Sequence, residues 1–108
     1  MLSPGNGVRL AGAIGEFHEL VELLGVPVVT GMSSVDALES DHPYFAGRSG
    51  GTGTRAGNFA LQNSDVLLSI GNRQGFTQTG FQYQDWARES YTILNDIDEN
   101  ELKKPSLH

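Results

Sequence analysis

Ser64-Asp65-Val66-Leu67-Leu68-Ser69-Ile70-Gly71-Asn72-Arg73 decides how this chain is read. A polar pair opens it, a near-continuous apolar run from Val66 to Ile70 follows, and Gly-Asn-Arg breaks the pattern. Short apolar runs bounded by turn-formers read as strands buried on both faces, as in parallel sheets covered by crossover helices. Glycine directly after such a strand allows a sharp turn, or the close approach of a ligand or another backbone. Ligands of open parallel sheets sit outside the carboxyl ends of the strands, which puts Arg73 where an anionic group would arrive. The position suits a surface or interface arginine equally well.

Upstream of this strand, Thr54 is a good N-cap for a helix from Arg55 to Asn63, with Ala56, Phe59, Ala60 and Asn63 on one side. Before it, the run Gly47 to Thr54 holds four glycines in eight residues and predicts a mobile surface loop. Tyr44 to Gly47 reads as a short extended segment, Asp41-His42-Pro43 as a break, and Val35 to Leu38 as one or two helical turns. Val26-Pro27-Val28-Val29-Thr30 is a β-branched strand with its proline near the start, where no ladder donor is needed. Val8 to Leu24 predicts one amphipathic helix whose stripe is Leu10, Ala13, Ile14, Phe17, Leu20, Val21 and Leu24. Gly25 is the expected C′ residue and Pro27 prevents resumption. Gly5-Asn6-Gly7 looks like the turn after a strand, although Met1 to Ser3 makes only a short one. Downstream, Gln74 to Gly80 predicts a loop, Phe81 to Glu89 an irregular segment around Trp86, Tyr91 to Ile97 a strand, and Asp98 to Leu102 a short turn or helix. Strands alternating with helices imply a parallel, helix-covered sheet.

Composition narrows the function classes. The 108 residues suffice for one small domain, and 14 glycines with 38% hydrophobic residues suit a loop-rich α/β unit. A net charge of −6, from 7 basic and 13 acidic residues, gives no nucleic-acid footprint. There is no cysteine, hence no disulfide framework or thiolate metal site. No apolar run approaches the roughly 20 residues of a membrane span, and no signal-peptide pattern is present. The expected setting is cytoplasmic, without membrane or nucleic-acid partners.

Motifs for chemistry are sparse. Gly5-Asn6-Gly7 begins like a dinucleotide fingerprint, but the next glycine is Gly12, and the second strand ends at Thr30-Gly31 without the acidic residue that would hold a ribose. A tight strand-to-helix turn is the simpler account. The Gly47–Gly53 run lacks the Gly-Lys-Ser/Thr ending of a phosphate loop, while its place before a helix keeps anion binding open. His18, His42 and His108 share no metal-ligand spacing. Asp96 and Asp98 would point the same way on a continuing strand, as a carboxylate pair for acid–base work or a ribose hydroxyl, or as a solvated strand end. No catalytic or metal-binding residue is assigned.

Taken together, Gly5-Asn6-Gly7-Val8-Arg9-Leu10-Ala11-Gly12-Ala13, Leu24 to Thr30, Asp41-His42-Pro43, Gly53 to Ala60, Asn63 to Arg73, Gln78-Thr79-Gly80 and Asn95-Asp96-Ile97-Asp98 form a collinear series. It resembles the central domain of thiamine-diphosphate-dependent enzymes of the acetolactate synthase type. The resemblance implies a Rossmann-like (DHS-like) three-layer α/β domain over residues 1–108, with a mainly parallel six-stranded sheet. The first strand is expected to be shortened, and the last strand and helix to lie beyond His108. It further implies two thiamine-diphosphate-binding domains as partners, thiamine diphosphate and Mg²⁺ in a full-length enzyme acting on 2-oxo acids, and a homo-oligomer. The Gly-Asp-Gly motif that holds the cofactor in this family is absent here, so the fragment alone is expected to bind no thiamine diphosphate and to catalyse nothing.

Some relatives carry FAD or an adenine nucleotide in this domain. The positions matching their contacts are Gly5, Asn6, Gly7, Thr30 to Ser33, Gly53, Thr54, Gly71, Asn72, Arg73, Asp96 and Asp98. FAD-binding relatives follow the arginine with an acidic pair and a second arginine, whereas this chain has Gln74-Gly75-Phe76-Thr77. The resulting expectation is a scaffold domain with a vestigial crevice. The alternative is a stand-alone FAD or ADP binding module.

Overall fold

The computed structural model describes residues 1–107. Five strands form one all-parallel sheet: β1 (Leu2–Pro4), β2 (Val28–Thr30), β3 (Phe45–Arg48), β4 (Val66–Ile70) and β5 (Tyr91–Asn95), in the order β3-β2-β1-β4-β5. The strand order reverses at β1. The central strand is thus only three residues long, pairing Leu2 with Val28 on one side and Leu2, Ser3 and Pro4 with Leu68, Ser69 and Ile70 on the other. β4 is paired along all five of its residues with β5.

The expected single helix over Val8–Leu24 is two: α1 (Asn6–Leu10) and α2 (Ile14–Leu24). Gly12 adopts φ +67° between them, a left-handed conformation that ends the first helix. Leu10 consequently leaves the buried stripe and is 80% exposed, while Phe17 and Val21 are buried. Gly25 is a left-handed C-cap at φ +59°, with its N–H on the Val21 carbonyl. The second strand begins at Val28; Pro27 has no N–H to contribute, but its carbonyl accepts from Leu2 N at 2.8 Å. In place of helical turns at Val35–Leu38, a 3₁₀ turn forms at Met32–Ser34, and Ala37 and Leu38 are buried in the turns that follow.

α3 (Arg55–Gln62) starts as expected at Thr54, whose side-chain oxygen accepts from Gly57 N at 3.1 Å. The segment after β4 is not a simple loop: it carries a short helix, α4 (Phe76–Thr79), and then a 3₁₀ turn at Tyr83–Asp85. Strand β5 stops at Asn95, and α5 (Glu99–Lys103) follows, capped by Asp98.

Two cores lie on opposite faces of the sheet. On the first face Leu2, Val28, Val8, Phe17, Val21, Ala37 and Leu38 pack together, with Leu68 and Ile70 against them. On the second, Val29, Leu61, Leu67 and Ala87 pack with Trp86. The first face is covered over β1 and β2 and in part over Phe45, Leu68 and Ile70. Over the start of β4 and over β5 it stays open, leaving Val66 43%, Tyr91 73% and Ile93 44% exposed. The strand expected to be buried on both faces is thus buried at Leu67 and Ser69 and uncovered on the side of Val66.

Candidate functional site

The carboxyl ends of β1 and β4 meet at the point where strand order reverses, and a cavity of about 1050 Å³ opens there. Its walls come from α1 and α2 (Leu10, Phe17, Leu20), the turn after β4 (Gly71 to Gln78) and the end of β5 (Asn95, Asp96, Ile97). Most of this lining is apolar, which suits burial of a hydrophobic body better than hydration of a charged one.

The strand-to-helix turns beneath the cavity are packed against each other. Gly5 N donates to the Ile70 carbonyl at 2.8 Å, and Gly7 N to that of Gly71 at 3.0 Å. A Cβ on Gly5 would stand 2.3 Å from the Gly71 carbonyl oxygen, and one on Gly7 would stand 2.8 Å from Gly71 Cα. These glycines therefore serve backbone-to-backbone packing, and the two N–H groups a phosphate would seek are already used.

Arg73 lines the cavity and is paired at its edge. Its Nε donates to Glu101 Oε1 at 2.8 Å, while Lys104 Nζ reaches Glu101 Oε2 at 2.7 Å and also donates to the Arg73 carbonyl. The two cations, Lys104 foremost, hold the Glu101 carboxyl below its usual range. The expected shared orientation of Asp96 and Asp98 is lost because the strand ends before them. Asp96 Oδ1 accepts from Asp98 N at 2.9 Å, and Asp98 Oδ1 accepts from Asn100 N at 2.9 Å, so the two carboxylates build a turn and a helix cap.

Asn6, Gly7, Gly71, Arg73 and Asp96 line the cavity; Gly5, Gly53, Thr54 and Asp98 do not. Gly53 lies against the Arg48 carbonyl, and Thr54 caps α3. The glycine-rich loop is tied down rather than free: Gly50 exchanges two hydrogen bonds with Asn58, and Gly51 N donates to the Thr77 carbonyl at 2.8 Å. His18 Nε2 lies 2.8 Å from the Ala37 carbonyl, and His42 bridges Glu22 and Tyr44 N. His108 lies outside the described residues. Among the described residues, no three His, Asp or Glu side chains gather as metal ligands, and no helix is long and apolar enough to cross a membrane.

One residue escaped the sequence reading. Gln74, 2% exposed and at φ +48°, turns its side chain under the strand ends, where Nε2 donates to Ser3 Oγ at 3.2 Å and Ser69 Oγ at 3.0 Å. Asn72 joins this buried polar group through Ser3 Oγ and the Pro4 carbonyl. The serines in two otherwise apolar strands were the available signal.

An open parallel sheet with a strand-order reversal at β1 and a crevice over it defines a doubly wound, Rossmann-like α/β domain. The family description "thiamine pyrophosphate enzyme, central domain" matches residues 1–106, and the chain belongs to that family. It is 40% identical over 100 residues to a probable acetolactate synthase large subunit of Methanococcus aeolicus, covering 93% of this chain and 16% of that protein. Against the acetolactate synthase isozyme 2 large subunit of Escherichia coli K12 the figures are 35% over 104 residues, 96% and 19%. Against a sulfoacetaldehyde acetyltransferase of Roseovarius nubinhibens they are 37% over 95 residues, 86% and 16%. The chain spans less than a fifth of the length of these curated relatives.

Proposed function

We propose that this chain is a scaffold domain of an acetolactate-synthase-like enzyme that acts on 2-oxo acids and performs no chemistry of its own. The observation that carries the reading is the packing of Gly5 and Gly7 onto Gly71, which uses the turn N–H groups, together with the engagement of Arg73 by Glu101. A crevice of the FAD type keeps its position in the fold and loses its anion-holding parts. Thiamine diphosphate and Mg²⁺ belong, on this reading, to two other domains of a longer, cytoplasmic and homo-oligomeric enzyme. The open half of the first sheet face and the free edge of β5 are where a sixth strand and a further helix dock, which accounts for exposed Val66, Tyr91 and Ile93.

Thermal melting in the presence of FAD, ADP or NAD tests the reading. The expected result is an unchanged midpoint at millimolar ligand. A rise of several degrees with any of them would replace the scaffold with a nucleotide-binding module.

A further inference from the structure

The segment after β4 does not stay at its own end of the sheet. From Gly75 to Gly80 it crosses toward the carboxyl ends of β2 and β3. There the Thr77 carbonyl accepts from Gly51 N at 2.8 Å and Gln78 Oε1 accepts from the buried Ser49 hydroxyl at 3.1 Å. The Gln78 amide lies over Gly31, where a Cβ would stand 2.3 Å from its Nε2. The same residues, Gly75 to Gln78, form one wall of the cavity. This strap touches the cavity on one side and the glycine-rich loop on the other, and so separates Asn6, Gly7 and Gly71 from the loop bearing Gly53 and Thr54.

Its attachment is slight. Phe76 and Phe81 stack on each other at 5.6 Å and are 66% and 86% exposed, so neither anchors the strap in a core. Gly75 and Gly80 flank α4, and among the described residues nothing lies within 4 Å of a Cβ at either position. Segments held by a few hydrogen bonds and little buried apolar surface open without global unfolding.

We propose that the Gly75–Gly80 strap is a lid. It opens as a unit while the sheet stays folded, and opening joins the cavity and the Gly47–Thr54 loop into one continuous crevice. Closed, it holds the Ser49 hydroxyl and the Gly51 N–H with its own oxygen atoms. The lid does not depend on the scaffold reading, since exchange kinetics measured without ligand report on it alone.

Native-state hydrogen exchange on the 108-residue chain tests this, with the Gly51 amide as reporter. The Val28 amide, bonded to the Tyr44 carbonyl at 2.8 Å, serves as the core reference. Gly51 is expected to exchange at least about a hundredfold faster than Val28 and to be insensitive to low urea. Gln78→Ala and Ser49→Ala each remove the same hydrogen bond. Each should speed Gly51 exchange by about tenfold without moving Val28, and the double variant should add nothing further. Exchange of Gly51 at the Val28 rate, or single variants whose effects multiply in the double, would overturn the lid.

Discussion

Glycine means different things at different positions of this chain, and the contacts around each decide which. Gly5 sits against the Gly71 carbonyl with no room for a methyl group, whereas Gly75 has ordinary φ and empty space around it. Gly5→Ala should cost about 1–3 kcal/mol or more, because backbone, not a flexible side chain, must yield. Gly75→Ala should stay within about 0.5 kcal/mol of the parent. Urea denaturation of both variants checks the contrast, and equal stabilities would show that the turn packing yields to a methyl group. In the sequence, Gly5-Asn6-Gly7 was legible as a tight turn. That its partner is Gly71, more than sixty residues away, was not, because no local pattern records which two turns meet across a sheet.

At the scale of elements, α5 is seated by charge more than by packing. Glu101 receives Arg73 and Lys104, and Lys103 pairs with Glu99 on the outer face. The Glu101 carboxyl has a folded-state pKa depressed below its ordinary 4.5. Its contribution to stability is therefore complete above about pH 4.5 and is lost as pH falls through the lower, folded-state value. Glu101→Gln removes the charge at every pH. Amide exchange of α5 measured between pH 6 and pH 3 should show the parent approaching the variant as acidity increases, and parallel profiles would exclude the clamp. Helix ends marked by strong chemistry were readable beforehand: Thr54 before α3, Gly25 after α2. The break at Gly12 was not, since a glycine within a periodic apolar pattern is compatible with a continuous helix, and only the backbone conformation distinguishes them.

For the whole molecule, alternation of strands and helices correctly gave a parallel sheet, and the collinear motif series gave the family. The order of the strands and the half-covered face needed the structure, because β1 is only three residues long and carries almost no pattern of its own. For the candidate site, the sequence placed residues at the carboxyl edge but could not show that Gly5 N is bonded to the Ile70 carbonyl and Arg73 to Glu101, because these partners are set by the meeting of separate turns. The edge strand Tyr91–Asn95 has no charge, proline or lysine to discourage pairing, and its Tyr91 and Ile93 side chains are exposed. Light scattering of the isolated chain should therefore report self-association that Ile93→Lys reduces. A parent chain that is a clean monomer at high concentration would argue against an exposed pairing edge.

The three-residue central strand also sets a timetable. Leu2 has its β2 neighbour Val28 close by in the chain, but its other neighbour, Leu68, follows 66 residues after Leu2 itself. At ribosomal rates of about 5–20 residues per second, several seconds separate the emergence of the two. During that interval the nascent chain holds one flank of its central strand unzipped, with the serine of that strand still lacking the glutamine that will bond it. That flank of the central strand cannot be paired until β4 has been made, and the interval before it is when a chaperone has most to offer.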